Sequence, residues 1–230
     1  MIGEGGASIE SAANMLIRLA RHGESEGNFA GALQGSRFDT PLSARGRRQA
    51  EALAIRLADE GMDAVWTSPM VRARETAAVV AAPHGITPSI DADLVEFDWG
   101  VWSGRPFDGV LEQEVSSVRA RWRAGETDLA PAGGESPAKA GVRAERFLSR
   151  LRAAGVRAPL VVAHGRFNRV LMVLLLGRPL SRMDEIRQRN GSLSAFEWDG
   201  SAPAIPLLLD DVAHIPGDLR NVSVLSDSVK

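Results

Sequence analysis

The run APLVVAH, from Ala158 to His164, is apolar at every position until it ends on a histidine. A strand that is apolar on both alternating faces must be covered on both faces, which requires a sheet sandwiched between helices. The segments around it supply such helices. Ala50, Leu53, Ala54 and Leu57 recur at i, i+3, i+4 and i+7 behind Ser43, a residue that caps helix starts. We expect Gly61 to end this helix. VRARETAAVVAA is a second helical run, stopped by Pro83 and Gly85, and Ser136 with Pro137 opens a third, with Ala140, Ala144, Phe147, Leu148 and Leu151 on its buried face. RFNRVLMVLLLG reads as a central helix because it is apolar on most sides. Short strands are expected at Met15–Ala20 and Ala64–Thr67, and SLSAFEWDG with AIPLLLDD reads as a strand pair turning at Gly200. Strands alternating with helices predict an α/β fold: a mainly parallel central sheet flanked by helices on both faces.

Between Pro88 and Gly134 the pattern loosens. It holds Trp99, Trp102 and Trp122, and one helix is expected where Leu111, Val115, Val118 and Trp122 fall at helical spacing. We read residues 97–135 as an insertion that shapes a pocket within a single domain, 15–230. Residues 1–14 carry two acids, no base and no apolar core, so they read as a flexible extension and not as a signal peptide. The longest strongly apolar stretch, Val170–Leu176, is too short to span a bilayer. With a net charge of -2, nucleic acid is not the expected partner, and without cysteine there is no thiol catalysis or thiolate metal site. No membrane partner and a cytoplasmic location are expected; composition does not indicate an oligomeric state.

Three of the strands run directly into polar residues: Arg21 and His22 after the first, Arg72 in TSPMVRARETA after the second, and His164 and Gly165 after the APLVV run. In an open parallel sheet, ligands bind beyond the carboxyl ends of the strands. Two arginines and two histidines converging there suit a phosphate. A guanidinium pairs with two phosphate oxygens at once, and a neutral imidazole can attack phosphorus. A leaving alkoxide needs a proton, for which Glu96 in LVEFDWGVWSG is a candidate.

These stretches resemble the histidine phosphatase superfamily, the group that includes the cofactor-dependent phosphoglycerate mutases. RHGES at 21–25 resembles its signature. DTPLSARGRRQA, SPMVRARETA, LVEFDWGVWSG, VVAHG and NGSLSAFEWDG resemble its other blocks in order, and DVAHIPGDLR resembles a common ending. The resemblance implies that His22 is the phosphorylated nucleophile, that Arg21, Arg72 and His164 hold the phosphoryl oxygens, and that Glu96 is first acid and then base. It places Asn28 where a family asparagine often helps bind phosphate. It implies no metal and no cofactor, and a small-molecule phosphomonoester as substrate. The pattern L-x-E-x-x-x-G-x-W-x-G at 94–104 resembles the phosphatase branch more than the mutase pattern ERxYGxLQG. A phosphoglycerate mutase and a catalytically silent phospholigand-binding protein are the alternatives. HGRFNR departs from the family's second glycine, and Arg166 in that place is expected to meet a second anionic group of the substrate. Arg119, Arg121 and Arg123 are expected to form a solvated helix face, and His84 and His214 show no sign of a function.

Overall fold

The computed structural model describes residues 14–200 and 203–220. The predicted extension therefore lies, but for its last residue, outside the described residues. Six strands form one sheet: β1 (Met15–Arg21), β2 (Ala64–Thr67), β3 (Ser89–Ile90), β4 (Pro159–Ala163), β5 (Leu193–Trp198) and β6 (Ile205–Asp211), in the order β3-β2-β4-β1-β5-β6. The first four are parallel; β5 pairs antiparallel with β1, and β6 with β5. The sheet is thus mostly parallel with an antiparallel edge. β3 has only two residues, too few for any alternation to signal it.

Alternation along the central strands separates two cores. On one face Ile17, Leu19, Val161 and Ala163 pack with α4 (Gly109–Arg123), α5 (Pro137–Ala153) and α6 (Gly165–Leu175). On the other, Ala20, Val65, Leu160, Val162 and Leu193 pack against α2 (Ala44–Leu57) and α3 (Val71–Ala81). α1 (Glu26–Phe29) is a single turn after β1. Every residue of β4 is buried, as the apolar APLVV run requires. Phe97, Trp99 and Trp122 meet with ring centroids 5.0–5.8 Å apart, which ties the 97–135 segment together, and all three belong to the core on the α6 side of the sheet.

α2 ends earlier than the sequence suggests. It closes at Leu57, because Ala58 and Glu60 turn their N–H groups back three residues, to Ile55 and Leu57. Gly61 lies beyond this tightened turn and is not its cap.

Candidate active site

Strand register alone brings the two histidines together. Arg21 lies opposite Ala163, so the next residues, His22 and His164, leave neighbouring strands side by side, and the His22 N–H bonds the Ala163 carbonyl at 3.0 Å. Their rings meet edge to face at 5.1 Å. Ser68 follows β2 on the other side of β4, and its Oγ lies 2.7 Å from His164 Nε2. Gly23 lets the chain turn here by packing backbone to backbone on α2: a Cβ on it would stand 2.3 Å from the Gly46 carbonyl oxygen.

Two contacts settle the His22 tautomer. Nδ1 lies 2.6 Å from the Gly23 carbonyl oxygen, which can only accept, so Nδ1 carries the proton. Arg72 Nε donates to His22 Nε2 at 3.2 Å, so Nε2 offers its lone pair. Burial, together with the cations of Arg72 and Arg21, pushes the His22 pKa well below its ordinary value. His164 is shifted the same way by burial, Arg72 and His22, and its Nδ1 has no partner among the described residues.

Arg72 is fully buried and fixed on three sides. Besides His22 it donates to Asp39 Oδ1 at 2.9 Å and to the Gly35 carbonyl at 3.1 Å. Arg21 donates Nη1 to the Gln188 carbonyl, while its buried Nε has no acceptor among the described residues. Burial lowers the Arg21 pKa to about 10, against the opposing pull of Glu96 and Asp210, so it stays a cation at neutral pH. The Glu96 side chain reaches from its loop to the start of α6. Its Oε1 accepts from the Phe97 and Phe167 N–H groups at 2.8 and 3.0 Å, and its Oε2 from that of Arg166 at 3.3 Å. It therefore satisfies N–H groups of a helix whose own N-cap, His164, makes no side-chain cap.

One cavity gathers these groups: Arg21, His22, Asn28, Arg72, Glu96 and Gly165 all line it. His164 does not, although its ring touches that of His22. Asn28 turns its Oδ1 to the Ser25 N–H and to Asn190 Nδ2 at 3.1 Å, so it also braces its own loop. Gly165 backs the Arg21 guanidinium, where a Cβ would stand 3.1 Å from Nε. We expect Gly165→Ala to shift that group and lower kcat/KM for a phosphomonoester roughly tenfold, with little change in Tm; steady-state kinetics beside thermal unfolding checks this.

Arg119 corrects the sequence reading. It is buried, not solvated, and donates Nε to Asp184 Oδ2 at 3.0 Å. Arg121 does face solvent and pairs with Glu126; Arg123 is half-exposed and reaches Asp184 at 3.4 Å. Residues two apart on a helix point about 200° apart, so 119, 121 and 123 cannot share a face. Position 119 instead follows Leu111 and Val115 at steps of four, on the buried stripe. That periodicity was the available signal. Ser68, directly after a strand, carried a similar one; Asp39, Asp184 and Gln188 carried none, since each reaches the site through tertiary contacts alone.

Among the described residues no helix is long and apolar enough to cross a membrane, and no three His, Asp or Glu side chains form a group that could hold a metal ion.

The chain is similar to known proteins in sequence and in fold. The profile of the Histidine phosphatase superfamily (branch 1) matches residues 17–211. A protein of Yersinia pestis (strain Pestoides F), named probable phosphoglycerate mutase GpmB, is 33% identical over 186 residues, covering 80% of this chain and 86% of its own. Among solved structures, the alpha-ribazole phosphatase of Shigella flexneri superposes with a TM-score of 0.74 at 31% identity, covering 86% of this chain and 96% of its own. A mycobacterial glucosyl-3-phosphoglycerate phosphatase solved with inorganic phosphate superposes with the same score at 25% identity, covering 88% of this chain and 100% of its own.

Proposed function

The chain belongs to the histidine phosphatase superfamily, and from that premise we propose that it is a phosphatase: a phosphomonoesterase working through a phosphohistidine, without a metal, on a small organic phosphate. The observation that carries this reading is the state of His22. Its Nδ1 is occupied by the Gly23 carbonyl, which leaves Nε2 the free base, held by Arg72 Nε, on a residue that lines one cavity with Arg21 and Arg72.

In the proposed reaction His22 Nε2 attacks phosphorus and the bond to the ester oxygen breaks. The leaving alkoxide takes a proton from the Glu96 carboxyl group. Arg72 Nε, which rests on His22 Nε2 in the free protein, passes to a phosphoryl oxygen as the N–P bond forms; the unmatched Arg21 Nε takes another. His164, edge to face with the imidazole, is the third group expected to reach the phosphoryl oxygens. Water then attacks phosphorus, Glu96 accepts its proton, the N–P bond breaks, and inorganic phosphate leaves with His22 restored. Guanidinium groups neutralise the equatorial oxygens, so charge neutralisation asks for no metal. Excess chelator is therefore expected to leave p-nitrophenyl phosphate hydrolysis unchanged; a loss of activity restored by a divalent ion would refute this part of the reading.

A second reading, phosphoglycerate mutase, is favoured by the name of the Yersinia relative. It differs in where the phosphoryl group goes. A mutase needs a bisphosphate to prime His22 and returns an isomeric phosphoglycerate; a phosphatase releases inorganic phosphate without priming. The segment around Glu96 and the phosphatase neighbours support the latter. Product analysis with phosphoglycerate, with and without a bisphosphate primer, separates the two.

A further inference from the structure

Three arginines of the cavity lining have no place in the proposed chemistry. The guanidinium groups of Arg119, Arg166 and Arg169 gather on a single carboxylate, Asp184. Arg119 bonds it at 3.0 Å, Arg166 bonds its other oxygen, and Arg169 approaches at 3.6 Å. All four side chains are nine-tenths buried or more. Three buried cations share one buried anion, so positive charge is left without a counter-ion beside the cavity. Arg169 shows the shortage directly: its buried Nε has no acceptor among the described residues. Burial and the Arg166 cation lower its pKa to about 9, against the opposing pull of Asp184.

The cluster is also held in place. The Arg166 guanidinium lies over the rings of Trp99 and Trp122, 5.4 and 5.8 Å from their centroids. Through its backbone N–H to Glu96, Arg166 adjoins the phosphoryl end, and its neighbour Gly165 backs Arg21. Two groups of arginines thus meet at the start of one helix, and each ends in an unmatched buried donor, Arg21 Nε and Arg169 Nε. Leu33, Trp99, Phe107 and Val115 supply apolar wall between polar groups.

We infer that the substrate is a phosphomonoester with a second anionic group, a carboxylate or a further phosphate, joined to the first by a short organic spacer and received by Arg119, Arg166 and Arg169. This rests on the phosphatase reading for the phosphoryl end alone. A buried guanidinium cluster already fixed in position binds a carboxylate or phosphate by charge-assisted, forked hydrogen bonds, and a neutral group of the same shape leaves those donors unpaired.

The test uses two near-isosteric pairs that differ in the second charge, 4-carboxyphenyl against 4-carbamoylphenyl phosphate and 2-carboxyethyl against 2-carbamoylethyl phosphate, and a third in which a second phosphate replaces a hydroxyl, 1,3-propanediol bisphosphate against 3-hydroxypropyl phosphate. The wild-type protein is expected to favour the charged member of at least one pair by about tenfold or more in kcat/KM, chiefly through KM. Arg166→Gln and Arg119→Gln should each bring that ratio to within about threefold of unity. The pair that discriminates identifies carboxylate or phosphate. Calorimetric binding of the same pairs to His22→Ala reads the subsite without turnover. Charged members that bind more tightly there, with no ester hydrolysed by the wild type, would sink the phosphatase reading and keep the subsite. Ratios near unity in every pair, or a preference that persists in both arginine variants, would overturn the inference.

Discussion

Replacing His22 with alanine is expected to lower kcat for p-nitrophenyl phosphate by about 10⁴-fold or more, to the level left by binding alone. Removing a covalent nucleophile removes the route itself, not a share of its transition-state stabilisation. Denaturing gel analysis with a labelled phosphomonoester should trap a phosphoryl group on the wild type and none on the variant. The label on another residue would refute the assignment. The pH profile adds an independent check. Burial and the Arg72 and Arg21 cations depress the His22 pKa, so the imidazole stays the free base as pH falls through 6.5. The nucleophile is lost only below that, when pH falls through the depressed value. An acid limb of kcat/KM set by His22 must therefore lie below pH 6.5; an inflection at 6.5 that vanished on changing His22 would show an ordinary exposed histidine.

The residues most legible in the sequence are those whose place depends on a strand end. Arg21, His22 and His164 each follow an apolar run, and strand order then decides how near they come. The layering of the fold was open to the same reasoning: the both-faced APLVV run demanded helices on two sides, and α2, α3, α5 and α6 supply them. Glu96 is different. It sits among Asp91, Asp93 and Asp98, and nothing in the spacing of four acids distinguishes it; only family resemblance did. Folding separates them, since Glu96 takes the N–H groups at the start of α6 while Asp91 and Asp93 bind exposed arginines of α5. The cluster on Asp184 was least legible. Its members lie on α4, on α6 and in the turn Leu180–Glu185, and an acid in such a turn reads as solvated until packing buries it. Long-range pairing of charges leaves no periodic trace, whereas burial of Arg119 does, once the stripe is counted in steps of four.

The second large effect is expected at Asp184, in stability. Asp184→Asn keeps the shape of the side chain and removes the charge that Arg119, Arg166 and Arg169 share. Removing one partner of a buried ion pair typically costs about 3–5 kcal/mol, because the remaining charge is left without compensation. For a chain of this size that corresponds to a fall in Tm of roughly 6–20 °C. Burial pushes the Asp184 carboxyl up, but Arg166 and Arg119 outweigh it and hold the folded pKa well below the usual carboxylate range. Its stabilisation is thus present above the unfolded value of about 4 and is lost as pH falls through the lower folded value. The gap between wild type and variant, read by denaturant unfolding, should be constant near neutrality and narrow in acid. An added anion provides the more telling comparison. If the cluster lacks negative charge even with Asp184 in place, it lacks more without it, so inorganic sulfate should raise the Tm of Asp184→Asn by more than that of the wild type, in proportion to RT ln(1 + [L]/Kd). Equal shifts in the two proteins would mean that sulfate does not reach these arginines, and would confine anion binding to Arg21 and Arg72.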